Sequence, residues 1–338
     1  MNLPPNRPNR PNRRNWPVSI GPLTEAEQVE VILLAELATA VDGVSPLSEV
    51  PILHLSANEP WLTHVQVRRL DDSPSPSRSE LVGYAQIDRS GETASAELVV
   101  LPDARRRGIG GVLLATADAD ARLPAVSGAG PSAGQELRVW AHGDLPGSQA
   151  FAASKGYQPV RELLLLSRPL TGRANHRAAE KSAAIKLPSG YHLRSFRPGP
   201  DDTDWVRLNA LVFADHPEQG RLTVPDLHAR QAEPWFKADD FQVVTSPTGE
   251  MIAFNWMKVE TEAANAGEIY AIGVHPEHRR LGIAGYLLQA TFTQMTAAGL
   301  AHTTLYVEGN NDAALATYYT AGFVPTARDM QYAKSPTT

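Results

Sequence analysis

Two turns, RRRGIGG at 105–111 and RRLGIAG at 279–285, combine arginines and glycines at a spacing that could bind an anion. Each turn follows an apolar stretch that predicts a β-strand and precedes a run with helical spacing of apolar residues. Glycine lets the backbone approach a ligand closely, and the first turn of a helix offers unpaired N–H groups at its positive end. The pattern therefore predicts two anion sites, each suited to a pyrophosphate.

Neither turn matches the commoner nucleotide-binding patterns. A dinucleotide fingerprint needs Gly-x-Gly-x-x-Gly with an acidic residue about 20 positions further on, and a phosphate-binding loop ends in Gly-Lys-Ser/Thr. Both patterns are absent from the two turns. Because glycine-rich turns are common, the order of the elements around them carries more weight than the turns themselves.

That order of elements occurs twice in the chain. Residues 18–170 and 189–335 each read as strand, helix, antiparallel strands, the strand that enters the turn, helix, strand, helix and a last strand. We predict two tandem α/β (α+β) domains, each with a mixed, mostly antiparallel central sheet flanked by helices. Residues 171–188 are polar, alanine-rich and aperiodic and are predicted to link them. The Pro-Asn-Arg repeats within 1–17 predict a disordered basic leader.

Composition narrows the class of function. The 338 residues suffice for two cores, the net charge of −6 argues against general nucleic-acid binding, and no apolar run approaches the ~20 residues that span a bilayer. The absence of cysteine excludes disulfides, thiolate metal sites and cysteine nucleophiles. His275, His278 and His302 lack metal-ligand spacing with other ligands. We expect a cytoplasmic, monomeric enzyme acting on a small molecule, without metal, nucleic-acid partner or membrane contact.

The ends of the two repeats connect them to a known family. Each repeat has a helix that closes on glycine and an aromatic residue, in SKGY at 154–157 and TAGF at 320–323. Together with the strand, turn, helix and strand before it, this ending resembles the GNAT acetyltransferase family, twice, over nearly the whole chain after residue 17. The resemblance implies acetyl-CoA as co-substrate, with its pantetheine amides on the strand before the turn and its pyrophosphate on the turn's N–H groups.

The residues that match these family positions fall into two sets. The positions in the first repeat are Leu98, Val99, Val100, Arg106, Arg107, Gly108, Ile109, Gly110 and Gly111. The positions in the second repeat, which include the start of its last helix, are Ile272, Gly273, Val274, Arg279, Arg280, Leu281, Gly282, Ile283, Ala284, Gly285, Asn311, Asp312, Ala313, Ala314, Leu315 and Ala316. The resemblance also implies that the backbone at 272–274 polarises the thioester carbonyl.

The same resemblance gives the second repeat the groups for acetyl transfer to an amine. Glu268 stands where the family places its general base, and Tyr318 stands on the helix that faces the CoA sulfur in the family, as the acid for the leaving thiolate. Aligned on the turn and on the closing glycine, the first repeat has Ala94 and Ala152 at these positions. We therefore predict chemistry in the second repeat and a non-catalytic first repeat.

Five patches resemble a tandem branch of this family that acetylates the cysteinyl amine of cysteinyl-glucosaminyl-inositol, the last step of mycothiol synthesis. They are VDGVSPLSE (41–49), FADHPEQG (213–220), NWMKVE (255–260), GEIYAIGV (267–274) and LYVEGNNDAALATYY (305–319). The positions that match this branch's substrate contacts are Glu49, Glu218, Lys258, Glu268 and Tyr306. Because Glu49 belongs to the first repeat, its contact would require both repeats to close over one cleft.

The residues alone leave two other functions open. The chain would also fit a tandem N-acetyltransferase of another small amine, such as an aminoglycoside or an amino acid, or a non-catalytic acyl-CoA sensor. Glu268 would then be a solvated strand-end carboxylate and Tyr318 a core residue.

Overall fold

The computed structural model describes residues 16–70, 79–124, 134–171, 185–214, 216, 219–259 and 265–334. The predicted leader up to residue 15, most of the predicted linker and the predicted substrate contact Glu218 lie outside this part of the chain. The chain divides into two compact units, Met1–Trp140 and Ala141–Thr338.

The first unit is built around strands in the order β1-β2-β3-β4-β5. The pairs are antiparallel except β4–β5, which is parallel. The strands are β1 Val18–Ile20, β2 Leu62–Leu70, β3 Ser79–Asp88, β4 Ala94–Val100 and β5 Leu137–Ala141. The helices are α1 Glu25–Asp42, α2 Glu49–Leu53 and α3 Ile109–Ala121. The sequence predicts all of these elements except α2, a single short turn of helix.

The second unit has strands in the order β12-β6-β11-β10-β9-β8-β7, and of the described pairs β10–β11 is parallel. Its strands are β6 Tyr157–Pro169, β7 His192–Ser195, β8 Phe241–Thr245, β9 Met251–Lys258, β10 Ala266–Val274, β11 His302–Glu308 and β12 Val324–Lys334. Its helices are α4 Pro146–Ser154, α5 Asp202–Val212, α6 Val224–Gln231, α7 Ile283–Ala297 and α8 Asp312–Thr320. The predicted fold class, helices with a mostly antiparallel sheet, is confirmed.

Helices cover both faces of the second sheet. Trp256 of β9 packs in one core cluster with Trp205 of α5, and the next residue, Met257, packs in another with Phe292 of α7. Because successive side chains of a strand point to opposite faces, these two clusters lie on opposite sides of the sheet. The indole of Trp256 stacks on Phe241 with ring centroids 4.4 Å apart.

Strand β6 ends the first repeat in sequence but lies in the sheet of the second unit. It pairs antiparallel with β11 on one side and with β12 on the other. Its Leu166 is fully buried in the core that also contains Phe292. The sequence pattern predicts a strand here but contains no information about its partners, so the repeat predicted at 18–170 and the compact unit that ends at Trp140 do not coincide.

Gly273 of β10 is required by the packing of α5 on the sheet. A Cβ atom at this position would lie 2.8 Å from Val212 Cγ1 and 2.9 Å from Phe254 Cε1. We expect Gly273→Ala to lower the free energy of unfolding by about 1–3 kcal/mol, the usual effect of overpacking. Thermal unfolding followed by circular dichroism measures it. Gly147→Ala, where the added Cβ meets nothing within 4 Å, is the control, and an unchanged midpoint for Gly273→Ala would contradict this account.

Candidate active site

The candidate site forms where β10 and β11 stop being paired. The parallel ladder joins Ala266–Glu268 to His302–Thr304, although both strands continue beyond it. After Glu268, the side of β10 that faces β11 therefore has backbone N–H and C=O groups outside that ladder. Such groups need hydrogen-bond partners, and an extended ligand with amide groups would supply them.

A β-bulge interrupts β10 just after Glu268. Ile269 is opposite Met257 and Ala271 is opposite Trp256, so Tyr270 is an extra residue between them. Its side chain is held in place, because Arg230 Nε donates to the Tyr270 hydroxyl at 2.7 Å. Bulges redirect the strand and occur often next to active sites.

The two glycine turns have the same backbone conformation. Arg106 and Arg280 both have φ of 63°, and the glycines that begin the following helices, Gly108 and Gly282, have φ of 94° and 79°. A non-glycine residue in the left-handed region is costly and is typical of functional turns. In each turn, the left-handed residues come just before the helix N-terminus, an arrangement that forms a concave group of N–H donors for an anion.

The charged side chains around the two turns differ. The guanidinium of Arg105 forms a fork with Asp42, with Nη1 and Nη2 at 2.7 and 2.6 Å from the carboxylate oxygens. Arg105 Nε also donates to the Val100 carbonyl at 3.1 Å. Its counterpart Arg279 makes the equivalent bond to the Val274 carbonyl at 3.5 Å, so the two turns differ in the carboxylate fork. In the first turn, Trp16 also donates its indole N–H to the Arg107 carbonyl at 3.2 Å.

Glu268 lies with polar side chains on one face of the sheet. It is half-buried and directly opposite Lys258 of β9 and Thr304 of β11. The ammonium of Lys258 lies 5.0 Å from the centroid of the Trp235 ring, a distance typical of a cation–π contact. Tyr306 follows two residues after Thr304 and so points to the same face.

The electrostatics of Tyr306 place it close to two carboxylates. Tyr306 as a whole residue is 46% exposed, but the protein around its hydroxyl excludes enough water to raise the pKa of that group. The charges of Asp329 and Glu268 raise the pKa further. The phenol is therefore a neutral hydrogen-bond donor at physiological pH, near Glu268. The structure brings together Glu268, Lys258 and Tyr306 among the predicted substrate contacts.

Tyr318 of α8 packs its ring into the core of the second unit. The ring makes an edge-to-face contact with Phe323 at a centroid distance of 5.8 Å. Burial raises the pKa of Tyr318 to about 12, and in the described part of the chain its hydroxyl has no hydrogen-bond partner. The group is thus a protonated donor available to a ligand. Asn311 is the N-cap of this helix, and its Oδ1 accepts from the Ala314 N–H at 3.1 Å, as the sequence predicts.

The first repeat has the turn but not these groups. The register of β3 with β4 runs without a bulge from Asp88–Ser95 to Gly83–Val100. An alignment without gaps matches Glu268 to Ala94. Because Tyr270 is an extra residue with no counterpart in the first repeat, pairing along the strands matches Glu268 to Ser95 instead. Neither is a base. Nearby Glu97 accepts from the Ser48 N–H and hydroxyl, both at 2.6 Å, and so holds the start of α2.

Asp329 and His142 could not be found from the sequence, because neither belongs to a local pattern. Both lie in the second unit, where His142 Nδ1 is 3.0 Å from Asp329 and the Gly143 N–H donates to the same carboxylate at 2.7 Å. The sequence left Glu308 as either a structural residue or one that lines the cleft, and strand alternation places it on the same face as Tyr306. Glu49, the first residue of α2, lies in the first unit, and its role stays a prediction.

The described residues contain neither a metal-binding group nor a membrane-spanning helix. No group of three or more His, Cys, Asp or Glu side chains within them is arranged to hold a metal ion. No helix in the same part of the chain is both long and apolar enough to cross a membrane.

Comparison with known proteins first defines the class. Residues 205–323 match the acetyltransferase (GNAT) family. The fold is similar to a tandem GNAT protein from the clavulanic acid biosynthesis pathway, with a TM-score of 0.64, 19% identity and coverage of 95% of this chain and 100% of that one. A GCN5-related N-acetyltransferase from Sphaerobacter thermophilus gives a TM-score of 0.63 at 18% identity, covering 96% of each chain. Acetyltransferases of this fold use acetyl-CoA, as the sequence predicts.

Closer relatives define the family. The mycothiol acetyltransferase of Sanguibacter keddieii is 43% identical over 94% of this chain and 96% of its own. That of Catenulispora acidiphila is 40% identical over 93% of this chain and 98% of its own. The chain belongs to the mycothiol acetyltransferase family and is an N-acetyltransferase, which confirms the predicted family and enzyme class.

The raised pKa of Tyr318 has a measurable consequence for stability. The Tyr318 hydroxyl has a pKa of about 12 in the folded state and near 10 in the unfolded state. Its contribution to the free energy of unfolding is therefore complete below pH 10 and is lost between pH 10 and 12. We expect Tyr318→Phe to lose stability less steeply than wild type over that range in denaturant unfolding. Tyr319→Phe is the control, because it removes a tyrosine hydroxyl from the same helix at a residue that is 45% exposed. Identical slopes for wild type and Tyr318→Phe would contradict this account.

Proposed function

We propose that this protein transfers the acetyl group of acetyl-CoA to the cysteinyl amine of cysteinyl-glucosaminyl-inositol, the last step of mycothiol synthesis. The observation that carries the proposal is that Glu268 and Tyr318 occur together in the repeat with the bulged strand and are both missing from the other repeat. The names of the relatives support the choice of acceptor.

Glu268 is the proposed general base. An amine must be neutral to attack a thioester, and a half-buried carboxylate at the fork of β10 and β11 would take its proton directly or through water. The neighbouring Lys258 and Tyr306 would bind hydroxyl groups of the acceptor on the same face. Glu218 and Glu49 remain proposed contacts on the strength of the family resemblance.

The strand and turn of the second repeat would hold the co-substrate. Acetyl-CoA supplies the acetyl group as an activated thioester. The N–H groups of Arg280 to Gly285 suit its pyrophosphate, and the backbone at 272–274 suits its pantetheine amides and the negative charge that develops on the acetyl oxygen. These positions fit because the left-handed turn opens outward, with nothing within 4 Å of a Cβ built on Gly282.

Tyr318 is the proposed general acid. As the new C–N bond forms and the C–S bond breaks, the sulfur leaves as a thiolate that needs a proton. The Tyr318 hydroxyl, whose pKa burial raises to about 12, is protonated at neutral pH and would donate it. The acceptor ammonium first loses one proton to Glu268, which passes it to water. The nitrogen loses a second proton as it becomes an amide, and this proton, relayed through water, replaces the one that Tyr318 gives to the sulfur. The sum is ammonium plus thioester giving amide, thiol and one proton.

The first test is mass spectrometry of products formed from acetyl-CoA and cysteinyl-glucosaminyl-inositol. We expect one acetyl group on the amine, and a fall in kcat of about 10²–10⁴-fold for Glu268→Gln and for Tyr318→Phe, the usual range for loss of a general acid or base. Glu250→Gln and Tyr319→Phe change an exposed carboxylate and an exposed phenol and serve as matched controls.

The other outcomes of this test separate the alternatives. Turnover with a different small amine and none with the sugar-inositol would make the chain an acetyltransferase of that amine. Acetyl-CoA binding without turnover, unaffected by either substitution, would make it an acyl-CoA sensor.

The first repeat is proposed to bind acetyl-CoA without using it, because its turn has the same conformation. Gly108 and Gly282 have φ of 94° and 79°, which valine adopts only at a cost of about 1–3 kcal/mol of strain. Gly108→Val and Gly282→Val should therefore each distort the turn that carries the substitution. We expect native mass spectrometry to show a single chain with two acetyl-CoA molecules. Gly108→Val should lose one and keep turnover, whereas Gly282→Val should lose turnover. Loss of turnover in Gly108→Val with an unchanged melting temperature would overturn the assignment.

A further inference from the structure

One face of the second unit's sheet carries Glu268, Lys258 and Tyr306 and is called the acceptor face below. Three side chains outside the proposed catalytic set meet beside it. Arg161 Nε of β6 donates to Glu308 of β11 at 2.9 Å from Oε1 and 3.2 Å from Oε2. His216, in the connection between α5 and α6, has Nε2 3.3 Å from Glu308 Oε1. The side chains of Arg161 and Glu308 are 10% and 19% exposed, so this pair is shielded from water. Glu308 points to the same face as Tyr306, two residues earlier.

The protonation of His216 follows from its partners. Its Nδ1 accepts the Gln219 N–H at 3.0 Å, so in the neutral ring the proton must be on Nε2. That N–H faces the Glu308 carboxylate. Arg161 Nη2 lies 3.4 Å from the same Nε2, and because both nitrogens are donors, their closeness reflects a shared acceptor in Glu308. The carboxylate therefore ties Arg161 to His216.

His216 in turn organises its own segment. Its N–H donates to the Phe213 carbonyl at 2.9 Å, and its carbonyl accepts from the Gly220 N–H at 3.2 Å. On the other side, Asn209 of α5 donates to the Gln219 carbonyl at 2.6 Å and accepts from the Gln219 side chain at 3.0 Å. Gln219 is thus hydrogen-bonded to α5, and His216 is paired with Glu308.

Strand β6 is a rigid support for this cluster. It pairs with β12 over Tyr157–Ser167 and with β11 over Leu163–Pro169. Arg161 is paired with Gln331 of β12 and lies two residues before the β11 ladder, on the same face as Leu163, the residue opposite Glu308. A guanidinium fork on a carboxylate is the most directional of the charged hydrogen bonds. Supporting residues of this kind keep binding groups within fractions of an ångström of their working positions.

We propose that Arg161 and Glu308 are positioning residues for the acceptor. Arg161 orients Glu308, and Glu308 holds His216 beside the acceptor face. The inference rests on the proposed function, in which the acceptor amine lies next to Glu268. It gives the end of the first repeat a role in acceptor binding that requires no chemistry of its own.

A matched control separates positioning from general stabilisation. Arg194 of β7 makes a similar fork with Asp201, at 2.5 and 3.0 Å. It lies in the same unit, at the other end of the strand order from β6. Arg161→Lys and Arg194→Lys therefore make the same chemical change, one beside the acceptor face and one distant from it.

The experiment measures steady-state kinetics, melting temperature and hydrogen exchange for the wild type, Arg161→Lys, Glu308→Gln and Arg194→Lys. For the first two variants we expect the acceptor KM to rise about tenfold or more, since small misplacements of binding groups are costly. The acetyl-CoA KM should stay within about twofold because the turn is untouched. Exchange in the peptide 213–222 should accelerate, and Arg194→Lys should change neither quantity.

A double variant tests whether Arg161 acts through Glu308. Arg161→Gln combined with Glu308→Gln should raise the acceptor KM no more than Glu308→Gln alone, because coupled residues are not additive. Fully additive effects would overturn the proposed route.

The remaining outcomes distinguish this inference from the proposed function. An unchanged acceptor KM and unchanged exchange in Arg161→Lys, with only a lower melting temperature, would reduce the cluster to a structural role and overturn the inference. A wild type that acetylates some other amine would overturn the proposed acceptor. Exchange at 213–222 would still decide the positioning role, supporting it if faster in Arg161→Lys and refuting it if unchanged.

Discussion

The second unit depends on the end of hydrogen bonding between β10 and β11 after the Glu268–Thr304 pair. A continuous parallel ladder would use every backbone group on that side of β10 and leave none for a ligand. Because the ladder ends there, a carboxylate stands at the point of divergence and open backbone follows it. The bulge at Tyr270 then redirects the same strand. Helices packed on both faces of the sheet hold this arrangement in place.

The two repeats show that an anion site and a catalytic site have different requirements. The turn is made of backbone conformation, and it is the same in both copies, with left-handed residues at equivalent positions. The base and the acid are single side chains, which one substitution each removes. A repeat therefore keeps its turn while lacking the carboxylate and the phenol, and the N-acetyltransferase chemistry of the family needs one complete set.

The position of β6 changes how the repeats are understood. A strand that belongs to the first repeat by sequence completes the sheet of the second unit and contributes Leu166 to its core. It also carries Arg161 to Glu308. Cutting the chain at the repeat boundary would therefore remove a strand that pairs on both sides within the unit that contains Glu268 and Tyr318. The compact unit and the repeat are not interchangeable.

Local patterns in the sequence determined the strands, most of the helices, both turns and their glycines. The period of an element and the turn residues that bound it are properties of neighbouring residues. The proposed roles of Glu268 and Tyr318 came instead from the resemblance to the GNAT family. The resemblance of five short patches was enough to predict the family. The bulge was missed, because one extra residue in a strand leaves no mark in an alternating pattern. Tertiary structure alone decided the partners of β6, the meeting of Arg161, Glu308 and His216, and the burial that raises the pKa of Tyr318. These depend on contacts between residues far apart in the chain, and single-sequence periodicity contains no information about such contacts.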